Sequence, residues 1–299
     1  MKMQLLRSVA LAMLALLCTL AGRSQTTDVH SQLWKITGKG LPAPSYLLGT
    51  HHAVGGSFVD SFPAIRRAFD ASKVLIREAL PVPATADYAA ILEFPANDSL
   101  QRYMSPADFQ TLTTFIRSKL TGDDTLLMAR VPRLTPQAVN FLITELKGDD
   151  ASGNATPTEP GMDDFLYDRA RSQGKNVVAL EDVIDQAKSI KASADLRQQA
   201  AQLARRISGS TGAADDAFQV NTMTVYRSRR IPHYFSYQQT QQFERAYGAD
   251  RNLQWMQKLP ALIEKGPAFI AVGHNHLVSS ESLVLLLRKA GYTVTNVPL

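Results

Sequence analysis

The stretch Phe269-Ile-Ala-Val-Gly-His-Asn-His276 is an apolar strand that runs into a glycine and two histidines. Residues 280–290 behind it have helical spacing, and residues 292–297 read as another strand. Working outward, residues 33–37 and 45–49 are two further strands, separated by the turn-forming Gly38-Lys-Gly-Leu-Pro-Ala-Pro44. Ser61 is expected to cap a helix with Pro63 in its first turn, and residues 73–78 form the next strand. Helices are expected from Ser105, over 136–147 and over 162–173, and the turn Gly174-Lys175 then leads into a strand at 177–180. Short apolar strands separated by helices predict an α/β fold, a central mixed sheet with helices on its faces. Residues of about 97–265 are expected to form a large helical insert, interrupted by a polar loop at 148–161.

Four of the six histidines fall in two short segments of one design, Tyr46-Leu-Leu-Gly-Thr-His-His52 and Ile270-Ala-Val-Gly-His-Asn-His276. In each, an apolar strand meets a glycine, and a histidine follows three residues on. Ligands of α/β sheets bind beyond the carboxyl ends of the strands. Glycine there allows a sharp turn and leaves room beside the backbone. Glu78 and Glu181 occupy the same kind of position after Val74-Leu-Ile-Arg and Val177-Val-Ala-Leu. Imidazole and carboxylate from separate strand ends suit a catalytic divalent ion with an open position. Arg251, at the start of a helix with Trp255 one turn on, could bring a guanidinium to the same cleft.

Other chemistries have less support. The chain lacks a Gly-x-Ser-x-Gly elbow, a phosphate-binding Gly-x-x-x-x-Gly-Lys-Ser/Thr loop and a contiguous His-Glu-x-x-His. Its one cysteine, Cys18, lies in an N-terminal segment that has the order of a secretory signal peptide. Lys2 and Arg7 precede the apolar run from Val9 to Leu20, and Ala21, Gly22 and Ser24 follow it. Cleavage is expected near Gln25, leaving one domain over 25–299 in the periplasm or outside the cell, with no stable membrane anchor. Without Lys2, Arg7 and Arg23 the 32 basic residues become 29 against 27 acidic ones, so the net charge falls from +5 to +2. With no basic stripe either, a nucleic-acid partner is not expected.

Several of these blocks resemble the TraB/GumN family, which is related to the Tiki metalloproteases. They are Leu33-Trp-Lys-Ile-Thr-Gly-Lys-Gly40, Ser45 to His52, Val74-Leu-Ile-Arg-Glu78 and Gly161-Met-Asp163. Gly174-Lys-Asn-Val-Val-Ala-Leu-Glu181 with Gln186, Arg251-Asn252-x-x-Trp255, Phe269 to Leu277 and Gly291-Tyr-Thr-Val294 complete the set. The resemblance implies that His52, Glu78 and His276 belong to a metal-dependent active site, and that an α/β core carries an inserted helical region. The family is also similar in motif layout to erythromycin-esterase-like and haem-binding ChaN-like proteins. Ala79 and His274 depart from the residues usual in the family, and neither change removes a proposed ligand.

The first expectation is an exported metal-dependent hydrolase, a peptidase, with zinc, manganese or cobalt on His52, Glu78 and His276. Glu181 would then be a general base or a partner that fixes a histidine tautomer, and Arg251 would bind a substrate carboxylate or oxyanion. Two other readings stay open. One is an esterase-like hydrolase without metal that uses His52 as base; the other is a protein that binds a peptide or haem and does no chemistry.

Overall fold

A computed structural model describes residues 32–51, 54–81, 91–120, 124–147, 159–192, 195–209, 248–277 and 281–299. The expected leader, His52, most of the 148–161 loop and the segment 210–247 lie outside the described residues.

Six strands form one mixed sheet: β1 (Leu33–Thr37), β2 (Ser45–Thr50), β3 (Val74–Arg77), β4 (Asn176–Ala179), β5 (Ala268–Gly273) and β6 (Thr293–Val297). Their order across the sheet is β4-β3-β5-β2-β1-β6. The neighbours β4, β3, β5 and β2 pair in parallel, whereas β1 runs antiparallel to both β2 and β6. A parallel strand covered on both faces needs apolar side chains in succession. The central strand β5 obeys this, with Ala268 through Val272 all buried. The edge strand β4 is only half-buried. Gly38, Lys39 and Gly40 between β1 and β2 all have positive φ, a conformation that favours glycine.

Helices α1 (Ser57–Ser61) and α2 (Pro63–Asp70) connect β2 to β3. The residue before α2 is Phe62, and no side chain caps the helix. Ser61 instead closes α1, its hydroxyl donating to the Ser57 carbonyl at 2.9 Å, so the expected Ser61 cap is corrected. Between β3 and β4 come α3 (Pro106–Lys119), α4 (Thr125–Arg130), α5 (Pro136–Lys147) and α6 (Met162–Ser172). Between β4 and β5 come α7 (Val183–Ala192), α8 (Leu196–Ser208), α9 (Asp250–Trp255) and α10 (Leu259–Glu264), while α11 (Leu283–Lys289) precedes β6. The helical region is thus divided by β4.

Among the described residues, two apolar cores result. One packs the sheet against α2, α6, α10 and α11 through residues such as Phe69, Leu166, Ile263, Phe269 and Leu287. The other is mainly helical: Leu112 and Ile116 of α3, Val139 and Ile143 of α5 and Leu203 of α8 bury one another, with Phe94 from a loop. Among the described residues, no helix is long and apolar enough to cross a membrane.

Candidate active site

Register brings the strand ends together. Thr50 of β2 stands opposite Gly273 of β5, and Arg77 of β3 stands opposite both Ala271 and Ala179. Hence His51, Glu78, Glu181 and the turn His274–Leu277 all leave the same carboxyl edge of the sheet. The two motif glycines are there for room. A Cβ on Gly49 would stand 3.0 Å from Cα and Cβ of His274, and one on Gly273 would stand 3.2 Å from Oε1 of Glu78. The first glycine lets the β5 turn pass against β2; the second lets the carboxylate reach the backbone.

Glu78 uses that room. Its Oε1 accepts the Gly273 N–H at 2.7 Å and its Oε2 accepts the Gln186 amide at 2.9 Å. Burial opposes its ionisation, but His276, Arg251 and the Gly273 N–H outweigh this and hold its pKa below the usual carboxylate value.

His276 is 1% exposed, and its tautomer follows from its partners. The Asn252 amide nitrogen donates to the carbonyls of His276 and Glu281, at 3.1 and 2.8 Å. That fixes the amide with Oδ1 toward the ring, 2.7 Å from Nδ1 of His276. An oxygen can only accept, so Nδ1 carries the proton and Nε2 keeps its lone pair. Burial, partly offset by Glu78, lowers the His276 pKa to about 4, so the ring is neutral at pH 7. Nε2 lies 3.5 Å from Oε1 of Glu78 and 3.1 Å from Nη1 of Arg251.

Arg251 is 2% exposed and joins all of these groups. Its Nε donates to both Glu181 oxygens at 3.0 and 3.2 Å, and its Nη2 donates to Glu181 Oε1 and, at 2.5 Å, to Glu78 Oε2. Its guanidinium lies 4.8 Å from the centre of the Trp255 ring, whose Nε1 donates to Glu181 at 3.1 Å. Burial works against the Arg251 charge, but the two carboxylates outweigh it and raise its pKa.

The structure brings Glu78, Glu181 and His276, each just past a strand end, together with Arg251 of α9 in one hydrogen-bonded group. His52 is outside the described residues. His274, also buried, is held neutral: burial, together with His51 and His276, lowers its pKa to about 3. Among the described residues, no three His, Cys, Asp or Glu side chains are grouped to hold an ion.

Sequence reasoning did not give a role to Asn252, Gln186, Thr50 or Asp163. Thr50 donates to Asp163 at 2.8 Å, and burial and the Glu78 charge raise the Asp163 pKa to about 6. Gln186, Asn252 and Asp163 each lie in the first or second turn of a helix, and for Gln186 that helix follows β4 at this edge. That position was the available clue, but amides and lone carboxylates have no distinguishing spacing.

The donor chemistry fits a divalent ion. A neutral imidazole with its lone pair at Nε2 and an ionised carboxylate are both suitable ligands. Their 3.5 Å separation is close to the roughly 3.4 Å edge of a tetrahedral site with bonds of about 2.0–2.1 Å. Asn252, which holds the ring through its other nitrogen, is in the position of a partner that orients a ligating histidine.

The model of the TraB/PrgY/gumN family matches residues 32–296. Neither a curated protein nor a solved structure matches the chain.

Proposed function

This chain belongs to the TraB/PrgY/gumN family, and we propose that it is an exported, metal-dependent hydrolase of peptide substrates. The observation that carries the reading is the pair at the carboxyl edge: His276 Nε2, fixed as a lone pair by Asn252, faces the Glu78 carboxylate at 3.5 Å. His52 is the proposed third donor, because Thr50 of the same Gly-x-x-His segment is in register with Gly273 at the end of β5. Two histidines and one glutamate are a usual protein set for a catalytic zinc, and manganese or cobalt would take the same donors.

A divalent ion there would supply Lewis-acid polarisation of a scissile carbonyl and activation of water. The rest of the mechanism falls to the chain. Glu78, tied to Gly273 and Gln186, holds its carboxylate still. Asn252 holds the His276 tautomer. Arg251 supplies positive charge where an oxyanion would develop. Glu181 gives both oxygens to Arg251 and Trp255, which suits a residue that positions the guanidinium better than one that takes a proton from water. Export rests on the Lys2 and Arg7 start, the short apolar run and the small residues after it.

Elemental analysis of the purified mature protein, with a peptide-library digest with and without chelator, tests the reading. We expect about one equivalent of divalent ion, lost in His276→Ala, and cleavage that stops in chelator and returns with added ion. Turnover that persists in chelator would favour the metal-independent hydrolase, and ion content unchanged in His276→Ala would place the site elsewhere. Intact mass beginning at Met1 in the native product would overturn export by this leader.

A further inference from the structure

Arg251 holds an atom that the proposed ion would need. His276 has one lone pair at Nε2, and Nη1 of Arg251 stands 3.1 Å from it. One lone pair serves one partner, so the Arg251–His276 contact and ligation through Nε2 exclude each other. The Arg251 contact with Glu78 is different, because a carboxylate has about four acceptor sites and can serve several partners at once.

The guanidinium also has another place to rest. Its Nε and Nη2 are held by Glu181, and its face lies over Trp255, whose indole N–H fixes the same carboxylate. Glu181 is itself anchored, since its backbone N–H donates to the Glu78 carbonyl at 2.9 Å and Lys258 caps the Leu180 carbonyl at 3.0 Å. The guanidinium is planar and rigid, so Nε2 becomes available when the whole group tilts about its Glu181 contacts and carries Nη1 off the ring. Nη1 would then point into the site as an N–H donor.

We propose that Arg251 is an internal placeholder for the cation: it closes His276 in the ion-free protein and withdraws to Glu181 and Trp255 on loading. The inference rests on the metal-site reading above. It makes the closed state a property of the chain, in which ion binding and the release of an oxyanion donor are one event. Loading then works against a charge-assisted hydrogen bond and a nearby positive charge. Both weaken apparent ion affinity without taking part in ligation.

The test is cation affinity in two variants, with zinc alone titrated by calorimetry and cobalt read by its visible ligand-field absorption. Arg251→Lys keeps a charge for Glu181 but loses the fork that reaches Nε2. Arg251→Gln combined with Glu181→Gln removes guanidinium and carboxylate together, and Glu78, which loses its arginine, keeps the Gly273 N–H and the Gln186 amide. Far-UV circular dichroism reports whether each variant folds. Affinity is expected to rise about ten- to a hundredfold in the double variant, the equivalent of losing one charge-assisted hydrogen bond, and by less in Arg251→Lys. A folded variant of either kind with unchanged or weaker affinity would overturn the placeholder role, if cobalt absorption still depends on His276. Should neither the wild type nor a folded variant bind zinc or cobalt, the metal-site reading fails and this inference fails with it.

Discussion

At the scale of single residues, the site is organised by groups that hold other groups. Asn252 is fully buried and commits its amide to two backbone carbonyls and one imidazole nitrogen. Asn252→Ala frees the His276 ring to turn and leaves both carbonyls without that donor. Zinc affinity should fall about 10–100-fold, with a stability loss of about 1–3 kcal/mol. Calorimetric titration of folded Asn252→Ala with wild-type affinity would remove Asn252 from the site. Glu181 permits a sharper distinction. Glu181→Gln keeps an oxygen for Trp255 but removes the charge that holds Arg251 back. Ion affinity should therefore fall by about 10–100-fold, with turnover restored at saturating ion. A general base would instead lose roughly 10²–10⁴-fold in turnover at saturation. Comparing turnover at limiting and saturating ion separates the two roles.

At the scale of elements, the site depends on how closely β5 and its following turn sit against β2 and β3. Gly49→Ala sets a methyl 3.0 Å from the His274 backbone, and neither strand can yield because both are interior to the sheet. We expect a stability loss of about 1–3 kcal/mol, measured by urea unfolding. Gly273→Ala meets the end of the Glu78 side chain at 3.2 Å and the His276 ring at an ordinary 3.8 Å. It should unfold near wild-type denaturant concentrations and bind zinc more weakly; the reverse pattern would mean that the two glycines have other roles. Strands β1 to β6 and this edge were legible in the sequence because apolar runs, punctuating glycines and strand-end His and Glu all report backbone course. The order β4-β3-β5-β2-β1-β6 was not, since nothing in the apolar run of β5 specifies insertion between β3 and β2. Nor was the partnership of Asn252 with His276, which joins residues 24 apart through a helix and a turn.

At the scale of the whole molecule, His274, His276 and Asp163 govern how stability changes with pH in the mildly acidic range in the ion-free protein. His274 and His276 have pKa values lowered to about 3 and about 4, so each stays neutral when folded and takes up a proton on unfolding below its ordinary 6.5. Their contribution is present above pH 6.5 and is lost as the pH falls. Asp163 acts in the opposite direction. Its pKa is raised from 3.8 to about 6, so between those values the folded chain holds a proton that the unfolded chain releases, and stability from this group falls as the pH rises. Near pH 5.5 the two histidines add nearly two protons to the unfolded state and Asp163 removes most of one. Stability should then rise with pH through these groups, by on the order of 1 kcal/mol per pH unit. Asp163→Asn removes the opposing group while keeping an acceptor for the Thr50 hydroxyl. Its slope should steepen to about twice that of the wild type, and above pH 7 it should be more stable than the wild type. Urea unfolding at pH 5.0, 5.5, 6.0 and 7.5, with chelator present throughout, measures both slopes. Parallel curves for the two proteins would mean that Asp163 ionises normally in the fold and that its burial beside Glu78 carries no electrostatic cost.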